Sequence, residues 1–271
     1  MDRRQLGKAL STISTLEVNK RNREPWCVLG VTGAPGVGKS CLVDRIVQSW
    51  LEQGEMVAVL AVDPSSPVSG GALLGDRLRM SSVDDGENVY FRSIATRNHP
   101  GGIAANLDKM VDLLVSEGWT KVIIETVGAG QSEVRIVAVA DRILLVEGPS
   151  RGDLIQAEKA GILELADLIA VNKSDLDGAE KTADEIQISL EMNDSKPLLI
   201  LCSAETGEGI PHLVQALNDL PAARGSTVAK MRERLLAAHQ ESLLNHPDLA
   251  EVLKGLSQGG LTLEAALDAL R

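Results

Sequence analysis

Cysteine is scarce: three occur in 271 residues, at positions 27, 41 and 202. So few, so scattered, they exclude a disulfide scaffold and a CxxC-type metal site. Aromatic side chains are also few, with three Trp, one Tyr and one Phe. The core therefore has to be built from Leu, Val, Ile and Ala. Positive charge is in deficit: Lys and Arg number 27 against 38 Asp and Glu, a net charge of -11. That balance lacks the basic footprint of a nucleic-acid binder. No apolar run reaches the roughly 18 residues that a membrane span requires. The opening Met-Asp-Arg-Arg-Gln has no apolar segment behind it of the kind a secretory signal carries. A cytoplasmic protein is expected, with neither nucleic acid nor membrane as partner. The 44% hydrophobic and 24% charged content is that of a folded globular chain rather than a disordered one.

A regular rhythm fills most of the length. Short apolar, β-branched runs lie at 26–32, 56–62, 89–94, 121–125, 143–147, 168–172 and 198–203. They do not alternate, which suits strands buried on both faces. Stretches of helical spacing separate most of them, at 40–53, 103–116, 154–164, 179–193 and 210–220. Strands alternating with helices predict an α/β fold: a mainly parallel sheet with helices on both faces. Before it, residues 2–21 have helical spacing with Leu6, Leu10 and Ile13 on one face. After a linker at 221–226 the pattern is purely helical, with Val228, Met231 and Leu235 on one face and Thr262 placed to cap a last helix. The predicted division is an N-terminal helix (1–24), a main domain (25–222) and a helical extension (223–271). Too short to bury much by itself, the extension is expected to pack on the main domain or on a second copy.

Gly33-Ala34-Pro35-Gly36-Val37-Gly38-Lys39-Ser40 fits GxxxxGK[ST] without a mismatch, after the first strand and opening a helix. The glycines let backbone N–H groups converge on phosphate oxygens, and the helix N-terminus adds its positive end. Lys39 supplies a point charge to the β- and γ-phosphates, and Ser40 a hydroxyl for Mg²⁺. Cys41, next in this cradle, reads as a small packing residue rather than a redox one. The predicted main domain is thus a P-loop nucleotide-binding domain.

Asn172-Lys173-Ser174-Asp175 follows the sixth strand. An Asp in NKxD accepts from the guanine N1–H and 2-amino group together, a paired contact adenine cannot return. A buried acceptor left unpaired costs about 1–3 kcal/mol, enough to favour GTP over ATP. The alternative is that Asp175 caps the next helix. Ser203-Ala204, at the end of the seventh run, is expected to bring a backbone N–H to the guanine O6.

Asp63 ends the second strand and Glu125 the fourth, and both are expected to open on the ligand crevice. Acids there would order the metal and the attacking water; the alternative is that they are helix caps or loop acids. Asp76 is supported only weakly by position. Gly128 is placed for a backbone contact to the γ-phosphate. His99 reads as a solvated loop histidine.

The segments GAPGVGKS, AVDPSSPVSGGALLGDRLRM (61–80), RSIATRNHPGGIA (92–104), ETVGAGQSE (125–133) and AVNKSD (170–175) occur in that order. Together they resemble the MeaB/ArgK-type GTPases, metallochaperones of adenosylcobalamin-dependent acyl-CoA mutases, over about residues 25 to 220. The resemblance implies a G domain that uses GTP, GDP and Mg²⁺, a homodimer, and a mutase partner whose adenosylcobalamin loading and repair it gates. It implies Asp63, Asp76 and Glu125 as the metal and hydrolysis acids, with Lys39 and Ser40 on phosphate and metal. It puts Asn172, Lys173 and Asp175 on guanine. It also implies a signalling loop at 148–161, in which Ala160 stands where a second lysine is expected. Both chain ends are shorter than the resemblance leads one to expect. The competing readings are a nickel-insertion GTPase, which would need a Cys/His cluster, a nucleotide-binding partner without turnover, and a P-loop kinase, which would not need NKSD.

Overall fold

A computed structural model of the chain describes residues 1–20, 22, 25–63, 86–95, 106–126, 132–149, 160–191, 197–221 and 228–271. The chain divides into two compact units, 1–226 and 227–271.

In the first unit seven described strands form one sheet: β1 (Val28–Thr32), β2 (Val57–Asp63), β3 (Val89–Ala95), β4 (Lys121–Thr126), β5 (Arg142–Glu147), β6 (Leu168–Val171) and β7 (Leu198–Leu201). Their order is β3-β2-β4-β1-β5-β6-β7 and every pairing is parallel. The described helices are α1 (Arg3–Ser11), α2 (Lys39–Glu52), α3 (Leu107–Ser116), α4 (Ser132–Val139), α5 (Ala160–Leu165), α6 (Ala179–Glu191) and α7 (Ile210–Asn218). The predicted α/β class is the observed one. The apolar runs at β1, β5 and β6 are buried at every residue, as strands with helices on both sides must be. The edge strands differ. In β3 buried Val89, Phe91 and Ile94 are interspersed with half-buried residues, and in β7 Leu198 and Leu201 are exposed, because an edge has a neighbour on one side only.

α2 shows why one face of the sheet closes. Leu42, Val43, Ile46, Val47 and Trp50 are all fully buried. Their i, i+4, i+8 spacing forms one stripe. That stripe joins Leu29, Val31, Val59, Ile123, Leu144 and the α7 residues Leu213 and Leu217 in a single core. Residues of opposite parity face the other way: a side chain at Gly30 would meet Ile136 of α4 at 2.7 Å. Each such fully buried aliphatic side chain is worth about 1.5–3 kcal/mol.

The N-terminal helix is shorter than its predicted 2–21. It stops at Ser11, followed by a 3₁₀ turn at Ile13–Thr15. Leu6, Leu10 and Ile13 are buried as expected. Asp2 and Gln5 form a reciprocal capping box. Arg92 of β3 donates to Gly7 O at 2.9 Å, and Arg3 donates to the Gly86 and Val89 carbonyls, so α1 is fastened to the sheet edge.

The second unit contains α8 (Val228–Leu244), α9 (Leu249–Ser257) and α10 (Leu263–Ala269). Thr262 caps α10 through Ala265 N, as the sequence predicts. The predicted stripe of Val228, Met231 and Leu235 is exposed.

Candidate functional site

All the strand ends that matter point the same way, because the sheet is parallel. β4 lies between β1 and β2. The C-terminal ends of β2, β4 and β1 are therefore adjacent, about 4.8 Å apart in turn. On the far side β5, β6 and β7 deliver Gly148, Asn172 and Ser203 to the same edge. The chain runs from β1 to one side and later returns to the other, which makes β1 the topological switch point where open α/β sheets bind ligands.

The glycine-rich turn follows β1 directly. Gly33 has φ +139° and Gly38 φ +91°. A side chain at Gly33 would run into the Val146 carbonyl, and one at Gly38 would lie 2.5 Å from Asn172 Nδ2. Both positions therefore need glycine for conformation and for space. Lys39 is buried, and its Nζ donates to Gly33 O at 2.7 Å and Ala34 O at 3.0 Å. Its charge is thus held inside the turn it is meant to serve. Ser40 Oγ donates to Glu125 Oε1 at 2.6 Å. Glu125 is 6% exposed, so this is a short, charge-assisted bond in a dry setting. It brings two hard oxygen donors together beside the phosphate cradle, a set suited to Mg²⁺. Glu125 lies inside β4 and is not a helix cap. Behind it Thr126 Oγ1 donates to Thr32 Oγ1 at 3.2 Å, tying β4 to β1.

Cys41 corrects the sequence reading: it is exposed, on the outer side of α2, so it fills no packing role. Asp63 closes β2, paired with Ala95 of β3. Asp76, Gly128 and His99 lie outside the described residues, as does 150–159 of the expected signalling loop.

The other end of the site is built around Asn172, which is 1% exposed. Its Nδ2 donates to Val37 O at 2.8 Å, and its Oδ1 accepts from Ala204 N at 3.0 Å. One amide thus joins the phosphate turn to the Ser203-Ala204 segment. Lys173, with φ +64°, sends its Nζ back to Gly36 O at 2.9 Å. A cavity of about 250 Å³ opens here, lined by Gly36, Val37, Gly148, Pro149, Lys173, Leu176 and Asp177. Asp175 is exposed beside it. The helix α6 starts only at Ala179, so Gly178 holds its cap position and Asp175 does not.

β7 ends at Leu201, two residues before the predicted end. Ser203 and Ala204 instead open a turn in which Ser203 N donates to Glu208 O and Gly207 N to Ser203 O, both at 2.9 Å. Cys202 is buried beneath this turn, and burial pushes its thiol up to about 12, which leaves it protonated and inert.

Arg45 of α2 escaped the sequence reading. Its Nε donates to Ala204 O at 2.8 Å and its second guanidinium nitrogen to Glu205 O at 3.1 Å. The available signal was a cation set between the apolar pairs 42–43 and 46–47 of an otherwise core-facing helix.

A family model described as methylmalonyl-CoA mutase-associated GTPase MeaB matches residues 17–252. The GTPase ArgK of Escherichia coli is 34% identical over 245 residues, covering 82% of this chain and 73% of that protein. The mitochondrial methylmalonic aciduria type A homolog of Mus musculus is 34% identical over 233 residues, 80% of this chain and 56% of that one. Among solved structures, a LAO/AO transport system kinase superposes with a TM-score of 0.65 at 22% identity, covering 99% of this chain and 92% of the other. Sequence motifs, sheet topology and these matches agree: the chain is a GTPase and belongs to the MeaB family of methylmalonyl-CoA mutase-associated GTPases.

Proposed function

We propose that this GTPase serves an adenosylcobalamin-dependent acyl-CoA mutase, with methylmalonyl-CoA mutase the first choice, and gates loading and repair of the mutase's cofactor. The observation that carries the site assignment is the double tie between the phosphate turn and the NKSD loop, Asn172 to Val37 and Lys173 to Gly36. It supports one ligand read at both ends, a triphosphate and a guanine. In this reading the N–H groups of residues 33–41 (Pro35 has none) and the Lys39 ammonium hold the β- and γ-phosphates. Asp175 accepts from the guanine N1–H and 2-amino group, and the Ser203-Ala204 segment borders the base with its own two N–H groups donated to Glu208 O and Asn172 Oδ1. Ser40, Glu125, Asp63 and Asp76 would hold Mg²⁺, whose chemistry there would be to neutralise phosphate charge. Gly128 N–H senses the γ-phosphate, and the segments 63–80 and 125–135 engage the mutase in the GTP state; hydrolysis resets the contact.

The family's printed association with methylmalonyl-CoA mutase supports the partner. The exposed apolar stripe of α8 supports a homodimer formed through the helical extension. No helix among the described residues is long and apolar enough to cross a membrane. Among the described residues no three His, Cys, Asp or Glu side chains converge as a metal-holding group.

GTP turnover measured with and without a purified acyl-CoA mutase tests the proposal. Stimulated turnover and a co-eluting complex are expected. Equal rates with no complex, for every mutase of the class, would refute the partner.

A further inference from the structure

The loop that carries Asp175 is bounded by two residues in the left-handed region, Lys173 at φ +64° and Gly178 at φ +91°. On either side of it the chain is fixed, by buried Asn172 and by Ala179, buried at the start of α6. Between them Asp175, Leu176 and Asp177 are exposed. The 250 Å³ cavity is lined in part by Lys173, Leu176 and Asp177, so the loop has free space beside it. Two bonds close it onto its neighbours: Lys173 Nζ donates to Gly36 O at 2.9 Å, and Ser174 N donates to Cys202 O at 3.0 Å. The second bond carries a cost. It keeps Ser174 where its Oγ is buried, and among the described residues that oxygen has no hydrogen-bond partner.

We propose that residues 173–178 form a gate for nucleotide exchange, and that the buried Ser174 hydroxyl sets how readily the gate opens. This rests on the guanine reading above, since Asp175 grips a base only while the loop is closed.

The physical argument has three parts. First, a hydroxyl taken from water without a new partner raises the free energy of the state that buries it. Lys173 adds to this, because a residue with a Cβ is disfavoured at positive φ. Two consecutive residues therefore work against the closed loop. Second, opening relieves both: the hydroxyl regains water and Lys173 leaves the left-handed region. The hinges are at hand, one at Lys173 and one at Gly178, where positive φ comes at no steric cost. Third, the assigned base contacts are made by Asn172, Lys173 and Asp175 and not by Ser174. The cost of the Ser174 hydroxyl is then the same with and without nucleotide, and it cancels in affinity. It does not cancel in rate. Nucleotide enters and leaves through the open loop, so a strained closed loop lowers the barrier in both directions.

The test is stopped-flow binding and release of GDP carrying a fluorescent label on its ribose, on the full chain in magnesium buffer, for wild type and Ser174→Ala. A diphosphate avoids turnover. Calorimetry with unlabelled GDP gives the affinity. In Ser174→Ala, association and release are both expected to slow about fivefold, the low end of what an unpaired buried hydroxyl costs. GDP affinity is expected to stay unchanged. The urea midpoint of Ser174→Ala should rise, because the closed loop no longer buries an unpaired group. Unchanged or faster rates would overturn the proposal. So would slower release with unchanged association, which would make Ser174 a binding contact rather than a gate. A fall in the urea midpoint would show that the hydroxyl is bonded, and would overturn it too. A wild type that does not prefer GDP to ADP overturns the guanine reading itself, and is thereby told apart from a failure of the gate.

Discussion

Asn172→Ala is the most informative single change, because one buried amide joins two loops that otherwise meet nowhere in the sheet. Asn172 is 1% exposed and makes bonds of 2.8 Å to Val37 O and 3.0 Å from Ala204 N. Truncation leaves a buried carbonyl and a buried N–H without these partners. Each such orphan costs about 1–3 kcal/mol. The longer contact from Asn172 Nδ2 to Gly38 O, at 3.4 Å, adds little. A loss of about 3 kcal/mol is expected, since the turn at 203–208 can relax and rehydrate in part. Urea unfolding followed by tryptophan emission isolates the effect. Trp26, Trp50 and Trp119 are the protein's tryptophans and all lie in the first unit. A shift below about 1 kcal/mol would refute the claim that this amide is an obligatory tie rather than a convenient contact.

Two further outcomes are expected. Asp175→Asn should exchange guanosine for xanthosine nucleotides, by roughly ten- to hundredfold; a variant that still selects GDP over XDP removes Asp175 from the base site. Lys121 offers a pH test away from the site. Its ammonium lies 4.0 Å from the Trp26 ring centre, and burial lowers its pKa although Glu55 and Cys27 pull it up. A base with a depressed folded pKa holds its proton less tightly than the unfolded chain does. Stability must then rise with pH between the folded value and the ordinary lysine value near about 10.4, and be flat below. The stability of wild type relative to Lys121→Met should therefore climb over that alkaline window, read from urea midpoints; a constant difference would contradict the burial effect.

The βα rhythm was legible because buried parallel strands are continuous apolar runs, and α2 because its stripe repeats with helical period. The helix α4 was missed. Ser-Glu-Val-Arg-Ile-Val-Ala-Val reads ambiguously, since β-branched residues at 134, 136, 137 and 139 suit a strand as well as a helix. The run from 198 onward was read two residues too long as strand, because Cys202 still donates to Val171 O and packs in the core past the end of β7, and Ser203 is buried in the turn that follows. At the site, the motif residues were found because phosphate and guanine chemistry demand fixed types at fixed spacing. Arg45 was not, since its partners are main-chain carbonyls 159 and 160 residues away, which leave no mark on side-chain identity.

Chain order alone established the class, the phosphate turn, the base loop and the family resemblance. These are local features: a glycine where φ is positive, a lysine beside the phosphates, an acid beside the guanine. Folding added the rest by placing strand β4 against one side of β1 and β5, β6 and β7 in turn on the other. That arrangement sets Ser40 against Glu125, 85 positions apart, and Asn172 against both Val37 and Ala204. Hydrogen bonds between such distant positions depend on which strand lies next to which, and neighbouring residues carry no information about that.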